Sequence, residues 1–413
     1  MWTSDDRLVF ASFEDFRFTI RQMEIDSLIA NPRQTMLSRV PLDREPWAFE
    51  RHVVADSTQR FRYRRRYQLD IAQGSVSTNP VFGTGGGASV LFSDVMGNDI
   101  WHVTAYSNNT LGRSFLESLN IGITRIHLGR RANYGYGIFR LAGQRYDRTD
   151  PDAPAGFPVY YEQVYGGVGL VSYPVSKFRR VEINTSMGWS RKDQFFDEVD
   201  LESVLLSNSA TLVHDNTLYG LNGPVDGWRA NLTVGYTTDV LNSNVSYYTV
   251  SADVRRYFRI VPGVTLASWG NVRANVGRRA RLHLIGGSWN LRGYPFFRLR
   301  GKHLWFTSHE LRFPLAIAPS AWIPVLEPFG IANLRGALFV DAAHLWNEGY
   351  NDVEFDPGSG FEIGRTLGSV GGGLRMNIYG GIVLRYDIGY RFPTGFNWDE
   401  RQTFNQFFFG WDF

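Results

Sequence analysis

The sequence predicts an all-β protein: a 16-stranded antiparallel transmembrane β-barrel with an inward-folded loop, preceded by a short N-terminal β segment. Most strand-like segments run over about 9 to 14 residues, which is long enough to cross a bilayer at a tilt. Apolar and polar residues alternate within them, so that one face of each strand is apolar. Short turns also alternate with long polar loops along the chain, as they do in barrels that cross a membrane.

The composition agrees with strands that show one face to lipid and the other to water. Aromatic residues make up 15% of the 413 residues, there are 43 glycines, and no run of about 18 apolar residues predicts a transmembrane helix. The 43 Lys and Arg residues nearly balance the 40 Asp and Glu residues, which argues against nucleic acid as the main partner. Because cysteine is absent, disulfides, thiol nucleophiles and zinc–thiolate sites are excluded.

The N-terminal segment has two interpretations. Within residues 1–30, acidic turns separate short strands between Trp2 and Ile25, and this pattern resembles the last blade of a TolB-like β-propeller. An ordinary N-terminal hairpin is the alternative. Residues 31–60 are predicted to be a linker, and residues 61–413 the barrel. Met1 to Asp6 lacks the basic start and apolar core of a signal peptide, so we expect a longer precursor or a truncated gene product.

Sixteen barrel strands are predicted, an even number that places both ends of the barrel on the same side of the membrane. They lie near residues 63–74, 87–96, 100–108, 119–128, 134–144, 159–172, 177–191, 208–218, 228–238, 246–258, 263–278, 303–313, 334–346, 367–376, 381–391 and 405–413. Long external loops are expected at 145–158, 192–207 and 347–365, and a proline-rich turn at 314–333 is expected at the membrane interface. Gly83 to Ala88 is glycine-rich but no βαβ unit follows it, which predicts a loop or a strand start and not a dinucleotide site.

A glycine- and aromatic-rich stretch, Gly286 to Phe297, lies between the eleventh and twelfth predicted strands. It contains Arg292, whose guanidinium is costly to bury without a carboxylate partner. Gly293 beside it allows a sharp turn and a close approach to another surface. We therefore expect this loop to fold back and to be held by acids elsewhere in the chain. The alternative is that Arg292 is a solvated loop residue.

Four motifs follow one another in the second half of the chain: Leu291-Arg292-Gly293-Tyr294, Ser308-His309-Glu310-Leu311-Arg312-Phe313-Pro314, Gly336-Ala337-Leu338-Phe339-Val340-Asp341-Ala342-Ala343-His344-Leu345-Trp346 and Gly371-Gly372-Gly373-Leu374-Arg375. In this order and spacing they resemble the BamA/TamA superfamily of outer-membrane proteins, also called the bacterial surface antigen family. The third motif departs from the family pattern only at Ala343, where glycine is common. The resemblance covers about residues 60–413.

This resemblance implies that the loop arginine reaches into the lumen and pairs with acids on the next two strands. Arg292 should then meet Glu310 and Asp341, and with Gly293 and Tyr294 these residues would form a latch for the loop. The alternation of residues agrees, because Asp341 alternates with outward-facing apolar residues and Glu310 shares the face of Ser308 and Arg312.

The C-terminus has a row of aromatic residues on one strand face, at Phe407, Phe409, Trp411 and Phe413. It resembles the C-terminal signal by which bacterial barrels are recognised for assembly. Gly410 departs from the usual pattern, which has its glycine two residues earlier. A buried edge strand of a soluble protein is the alternative.

The resemblance implies a location in the bacterial outer membrane and a role in inserting or translocating other proteins there, through a weak seam between the first and last strands. The implied partners are outer-membrane lipid and lipopolysaccharide, client outer-membrane proteins and periplasmic accessory proteins. A passive or structural pore is the alternative. An enzyme such as a lipase is not predicted, because no Ser/His/Asp grouping or carboxylate pair suggests catalysis. The eight histidines are scattered, so no metal site and no cofactor are predicted either.

Overall fold

The computed structural model describes most of the chain in twelve stretches. These are residues 7–14, 17–24, 65–79, 83–108, 114, 116–145, 160–194, 201–220, 223–315, 331–356, 360–378 and 382–410. The chain divides into two units between Arg64 and Arg65. In the first unit, β1 (Arg7–Glu14) and β2 (Arg17–Glu24) form an antiparallel hairpin in which Arg7 is paired with Glu24.

The second unit contains the remaining strands. They are β3 (Tyr67–Asn79), β4 (Gly83–Asp94), β5 (Asp99–Asn108), β6 (Leu119–His127), β7 (Asn133–Arg145), β8 (Tyr160–Pro174), β9 (Arg179–Gln194), β10 (Leu201–Asp215), β11 (Leu218–Gly220), β12 (Gly223–Asp239), β13 (Ser246–Val261), β14 (Val264–Arg278), β15 (His283–Ile285), β16 (Leu299–Gly301), β17 (His303–Pro314), β18 (Ile331–Trp346), β19 (Glu354–Asp356), β20 (Phe361–Ile363), β21 (Thr366–Ile378), β22 (Ile382–Phe392) and β23 (Gln402–Gly410). A single 3₁₀ turn in the described residues, Trp398–Glu400, precedes the last strand.

Sixteen long strands form the barrel, and those that follow one another along the chain pair antiparallel. They pair in chain order from β3 to β23, with the three-residue strands β11, β15, β16, β19 and β20 left out of the count. The first and last barrel strands, β3 and β23, are neighbours where the barrel closes. The predicted 16-stranded antiparallel barrel is therefore confirmed. Within the described part of the chain, no helix is long and apolar enough to span a bilayer.

The barrel has an apolar outside and a more polar inside, as the alternation along β18 illustrates. Leu338 and Val340 are 56% and 44% exposed, whereas Phe339 and Asp341 between and beside them are 2% and 0% exposed. Leu232 and Val234 of β12 are likewise about half exposed. A soluble sandwich would bury these apolar side chains, so this arrangement is that of a barrel with a lipid-facing wall.

Two short hairpins lie in the connections between barrel strands. The pair β15–β16 follows β14 and carries the glycine-rich loop between its strands, while β19–β20 follows β18. An apolar cluster joins both hairpins to the wall and contains Ile285, Leu291, Tyr294, Leu299, Leu304, Phe306, Ala343, Leu345, Ile363 and Leu367. The main buried apolar core therefore lies where the loop packs against β17, β18 and β21.

Several strand boundaries differ from those predicted. The eighth barrel strand was expected at 208–218 and is Leu201–Asp215, so most of the loop predicted at 192–207 is strand. This strand pairs with β9 from Leu201↔Lys192 to His214↔Arg179. The pairing extends beyond the apolar band because backbone N–H and C=O groups there still gain hydrogen-bond partners from the neighbouring strand. The glycine-rich segment beginning at Gly83 is the start of β4, one of the two predicted outcomes. Residues 316–330 of the proline-rich turn lie outside the described residues.

Candidate functional site in the barrel lumen

The loop between β15 and β16 is built by tight turns that require glycine. Gly286, Gly287 and Gly293 have φ values of 120°, 90° and 83°, in the region that glycine adopts with little strain. Inside the loop, Asn290 Oδ1 accepts hydrogen bonds from the backbone N–H groups of Gly286 at 2.7 Å and Leu291 at 2.8 Å. These bonds close the turn that presents Arg292 to the wall.

The Arg292 side chain is 2% exposed and contacts acids on both following barrel strands. Its Nε and Nη2 donate to Asp341 Oδ2 and Oδ1 at 2.7 and 2.6 Å, and its Nη1 donates to Glu310 Oε2 at 2.6 Å. Nη2 also donates to Ser308 Oγ at 3.0 Å, and the guanidinium carbon lies 3.6 Å from the centre of the Phe339 ring. All three guanidinium nitrogens therefore have acceptors, and the pairing with Asp341 is bidentate.

The two acids belong to a larger buried ionic network. Glu310 also accepts from Arg312 Nε at 2.9 Å and from Arg375 Nη2 at 2.9 Å. Arg375 Nη1 in turn donates to Asp387 Oδ1 at 2.8 Å. Since each charge in the network faces an opposite charge, part of the desolvation cost of burying so many ions is offset within the lumen.

Tyr294, next to the loop glycine, is also buried and is held by the wall. Its hydroxyl is 3.1 Å from the Gly368 carbonyl and 2.9 Å from the Phe392 carbonyl, and it is 2% exposed. Burial raises the pKa of the Tyr294 hydroxyl above its ordinary value, so it stays protonated and able to donate. Burial alone would lower the pKa of Arg292, but the charges of Asp341 and Glu310 raise it. Arg292 is therefore a permanent cation.

The same loop contacts the last barrel strand. The Gly293 N–H donates to Gln406 Oε1 at 3.2 Å, and Arg391 Nη1 donates to the Gly293 carbonyl at 2.7 Å. A Cβ at Gly293 would lie 2.6 Å from the Phe404 ring, which shows how closely loop and strand approach. Nearby, the rings of Trp289 and Phe408 meet edge to face at 4.9 Å. The loop therefore lies between the ionic network and β23.

The structure brings the five predicted latch residues together, while the predicted C-terminal row lies only in part within the described residues. Arg292, Gly293 and Tyr294 lie in one loop against Glu310 on β17 and Asp341 on β18. Phe407 is 65% exposed on the last strand, and the backbone of Phe409 pairs with Leu384. Trp411 and Phe413 lie outside the described residues.

Sequence reasoning missed several members of the site. Arg375 is the last residue of the fourth motif, but the motif does not indicate its partner. The ion pair between Arg375 and Asp387 was not predicted. Arg375 and Asp387 both face the lumen, on the neighbouring strands β21 and β22. The two strands pair with Gly373 opposite Asp387 and Arg375 opposite Arg385, so the side chains of Arg375 and Asp387 lie diagonally across the ladder. A prediction of this register would have predicted their contact. The contacts of Gln406 and Phe404 with Gly293 join residues over a hundred positions apart, and the sequence carries no signal for them.

Comparison with known proteins shows to which family the chain belongs. Residues 145–413 match the Omp85 superfamily domain, which is well over half of the chain. The chain belongs to the Omp85 superfamily. Solved structures of BamA and CdiB barrels are similar to this Omp85 chain but share little sequence with it, and no curated protein matched it significantly.

Three solved structures give the extent of the likeness. BamA from Haemophilus ducreyi lacking POTRA domains 1–3 has a TM-score of 0.58 at 17% identity, over 84% of this chain and 71% of that one. CdiB from Acinetobacter baumannii gives 0.47 at 13%, over 83% and 60%, and CdiB from Escherichia coli gives 0.49 at 14%, over 84% and 67%. At 17% identity the likeness to BamA concerns the fold alone.

In this Omp85 chain, the described residues hold no group of three or more His, Cys, Asp or Glu side chains placed to bind a metal ion. The site's chemistry is that of a buried ionic contact between a loop and two strands. Such a contact can hold the loop against the two strands.

Proposed function

We propose that this chain is a bacterial outer-membrane barrel that helps to insert or translocate other proteins through a seam between β3 and β23. Its partners would be outer-membrane lipid and lipopolysaccharide, client outer-membrane proteins and periplasmic accessory proteins. Membership of the Omp85 superfamily supports the class of activity. The physical means is an open strand edge, whose unpaired N–H and C=O groups can pair with an incoming strand.

The observation that carries this proposal is the exposure of the first barrel strand. All residues from 65 to 74 are exposed, whichever face of β3 they lie on. β3 is also the neighbour of β23 where the barrel closes. Because little packs against this part of β3, separating it from β23 would disrupt fewer side-chain contacts than opening the wall elsewhere.

The loop site supports a link between the seam and the lumen. In the proposed latch, Arg292 anchors the loop to β17 and β18, while Gly293 contacts Gln406 of the seam strand. The loop would hold β23 in the closed position. Release of either contact would then favour an open seam.

The test uses single cysteines, because the chain has none of its own. Ala72→Cys in β3 and Asn405→Cys in β23 are each reconstituted in vesicles and presented with an unfolded client barrel that carries cysteines in its terminal strands. We expect disulfide adducts from both positions. The control is Leu232→Cys in β12, which is 48% exposed and lies in a fully registered part of the wall.

Adducts at Leu232→Cys equal to those at the seam would mean random collision. Absence of adducts at both seam positions would overturn the proposal. If those same vesicles then carried a steady ionic conductance, a passive pore would be the better assignment.

For the N-terminal part, we infer that residues 1–30 are the last blade of a TolB-like propeller and residues 31–60 its linker. The hairpin β1–β2 supports this, with an unbroken register from Arg7↔Glu24 to Glu14↔Arg17. A propeller would offer a surface for periplasmic accessory proteins. Expression from the reading frame that includes any upstream coding sequence, followed by limited proteolysis, should release a protease-resistant domain that ends near residue 30.

A further inference from the structure

A second polar site lies on the outer surface of the barrel, at the end where the short turns lie. It is a small pocket of about 110 Å³ lined by Arg65, Arg125, His127, Tyr134 and Tyr136. The turns beside it join β4 to β5 and β6 to β7, and they are tied together by a hydrogen bond from the Leu128 N–H to the Asn98 carbonyl at 2.7 Å. None of its lining residues belongs to the loop site in the lumen.

The strand registers place this pocket on the outward face. Arg125 of β6 is paired with Tyr136 of β7, and Ile123 with Ile138. Since Ile138 is 65% exposed and Tyr136 is 50% exposed, the face that carries them is the apolar outer face. The pocket therefore interrupts a lipid-facing wall with two arginines.

The arginines are held in place by one buried carboxylate. Arg125 donates from Nε and Nη2 to Asp99 Oδ1 and Oδ2 at 2.8 and 2.6 Å, and Arg65 Nη1 lies 2.9 Å from Asp99 Oδ2. The Asp99 side chain is 1% exposed, whereas those of Arg65 and Arg125 are 48% and 24% exposed. The acid is thus covered, and both cations face outward from it.

The cations of this group outnumber the acid that holds them, since two guanidinium groups share the one carboxylate of Asp99. The nearby Asp94 carboxylate is directed into the turn, where it accepts from the N–H groups of Asn98 and Asp99. A ligand with a negative charge could therefore pair with the outward-facing guanidinium groups at the mouth of the pocket.

Aromatic side chains surround the pocket as they do at a membrane–water interface. The hydroxyls of Tyr136 and Tyr67 accept from Arg125 at 3.3 and 3.4 Å, and the Arg125 guanidinium lies 5.4 Å from the centre of the Trp101 ring. Farther along the same rim, Arg131 lies over Tyr173 at 5.0 Å. Tyrosine and tryptophan rings with arginine among them match the depth of lipid headgroups.

We propose that this pocket binds the phosphodiester headgroup of an anionic phospholipid in the leaflet on the turn side of the membrane. Arg65 and Arg125 contact the phosphate oxygens, the tyrosine hydroxyls border it, and the acyl chains follow the apolar wall beside Ile138 and Ile123. The inference rests on the proposed outer-membrane location. It adds a lipid-binding site near β3, the first strand of the seam.

The test is native mass spectrometry of the folded full-length chain released from micelles, with phosphatidylglycerol or phosphatidylcholine added. We expect the protein to retain phosphatidylglycerol preferentially. Arg65→Gln should reduce that retention roughly fivefold, the effect of losing one partly exposed ionic contact. The matched control is Arg180→Gln, since Arg180 is also 48% exposed and acid-paired, but lies on the inward face of β9 at the same end.

Equal loss in both variants, or no loss in Arg65→Gln, would overturn the site. Displacement of the lipid by an equal concentration of soluble glycerol phosphate would also overturn it, because the ligand would then be a free phosphate. Insertion into vesicles is measured separately by heat-dependent migration on a gel. If the wild-type chain does not insert, the outer-membrane proposal fails; if it inserts but retains no phosphatidylglycerol, only the lipid site fails.

Discussion

At the scale of single residues, Arg292 has the most concentrated set of interactions in the lumen. It is buried, it makes ion pairs with two acids on different strands, and its guanidinium packs on an aromatic ring. Removing one partner of a buried ion pair leaves the other charges without compensation, which costs more than the pair itself contributed. The role of this contact as a loop latch is a prediction that mutation can test.

Arg292→Ala should loosen the loop and lower the fraction of folded barrel. The expected loss is about 3 to 5 kcal/mol, because Asp341 and Glu310 would each lose an arginine partner in a buried setting. Heat-dependent migration on a gel measures the folded fraction, and chymotrypsin cleavage within residues 286–297, after Trp289 or Phe296, measures loop exposure. The control is Arg298→Ala, an exposed arginine of the same connection. Unchanged folding together with unchanged cleavage would contradict the latch.

Gly293→Ala should displace the loop from the last strand without removing any charge. The residue has a φ of 83°, and a Cβ there would lie 2.6 Å from the Phe404 ring. We expect a loss of about 1 to 3 kcal/mol from strain, seen as faster proteolysis of the loop. Gly270→Ala is the matched control, since a Cβ at Gly270 meets nothing within 4 Å. Equal behaviour of the two variants would argue against close loop–strand packing.

At the scale of elements, the hairpin β15–β16 carries the loop to the wall and includes a half-buried histidine. His283 pairs with Gly301, and its Nε2 has no hydrogen-bond partner among the described residues. Burial lowers the pKa of His283 to about 4, and the charge of Arg273 and the nearby His303 act in the same direction. In the folded hairpin the imidazole is therefore neutral at neutral pH.

The docked hairpin should become less stable as the pH falls from about 6.5 towards 4. In this window the unfolded segment binds a proton that the folded one does not, so acid favours the released form. Limited pepsin digestion at pH 4.5, compared with digestion by a neutral protease at pH 7.5, should show greater loop exposure in acid. His283→Gln should weaken this difference. A difference of the same size in that variant would assign the acid response to other groups.

At the scale of the whole molecule, closure of the sheet around a polar core makes the strands mutually dependent. Each described barrel strand is hydrogen-bonded along at least one edge, and the lumen on one side is filled by the loop and its ionic network. Such a barrel loses its structure as a unit.

The purified chain should therefore migrate as a compact band in sodium dodecyl sulfate without boiling and as an extended band after boiling. A chain that migrates identically in both conditions would contradict a closed barrel. A variant with Asp341→Asn should need less heat for the shift than wild type, because Arg292 would lose its bidentate carboxylate. Asp352→Asn, in an exposed loop, serves as its control.

The fold could be predicted because a two-residue period is a local property of the chain. The outward-facing apolar residues of β12, such as Leu232 and Val234, can be recognised from the alternation in the sequence before any strand pairing is known. Strand ends were predicted less well, as Leu201–Asp215 illustrates, since a ladder can extend beyond the apolar band wherever its partner extends too. The motifs around Arg292, Glu310 and Asp341 pointed to one site through family resemblance.

The sequence by itself determined the alternation, the number of strands and the residue types of the ionic site, because these depend on local spacing and on the high cost of burying an unpaired guanidinium. Tertiary structure decided which distant residues meet. The contact of Gly293 with Gln406, the joining of Glu310 to Arg375, and the placing of Arg65 beside Asp99 all depend on strand register and barrel closure. Register is a cooperative property of the whole sheet, so no local segment specifies it.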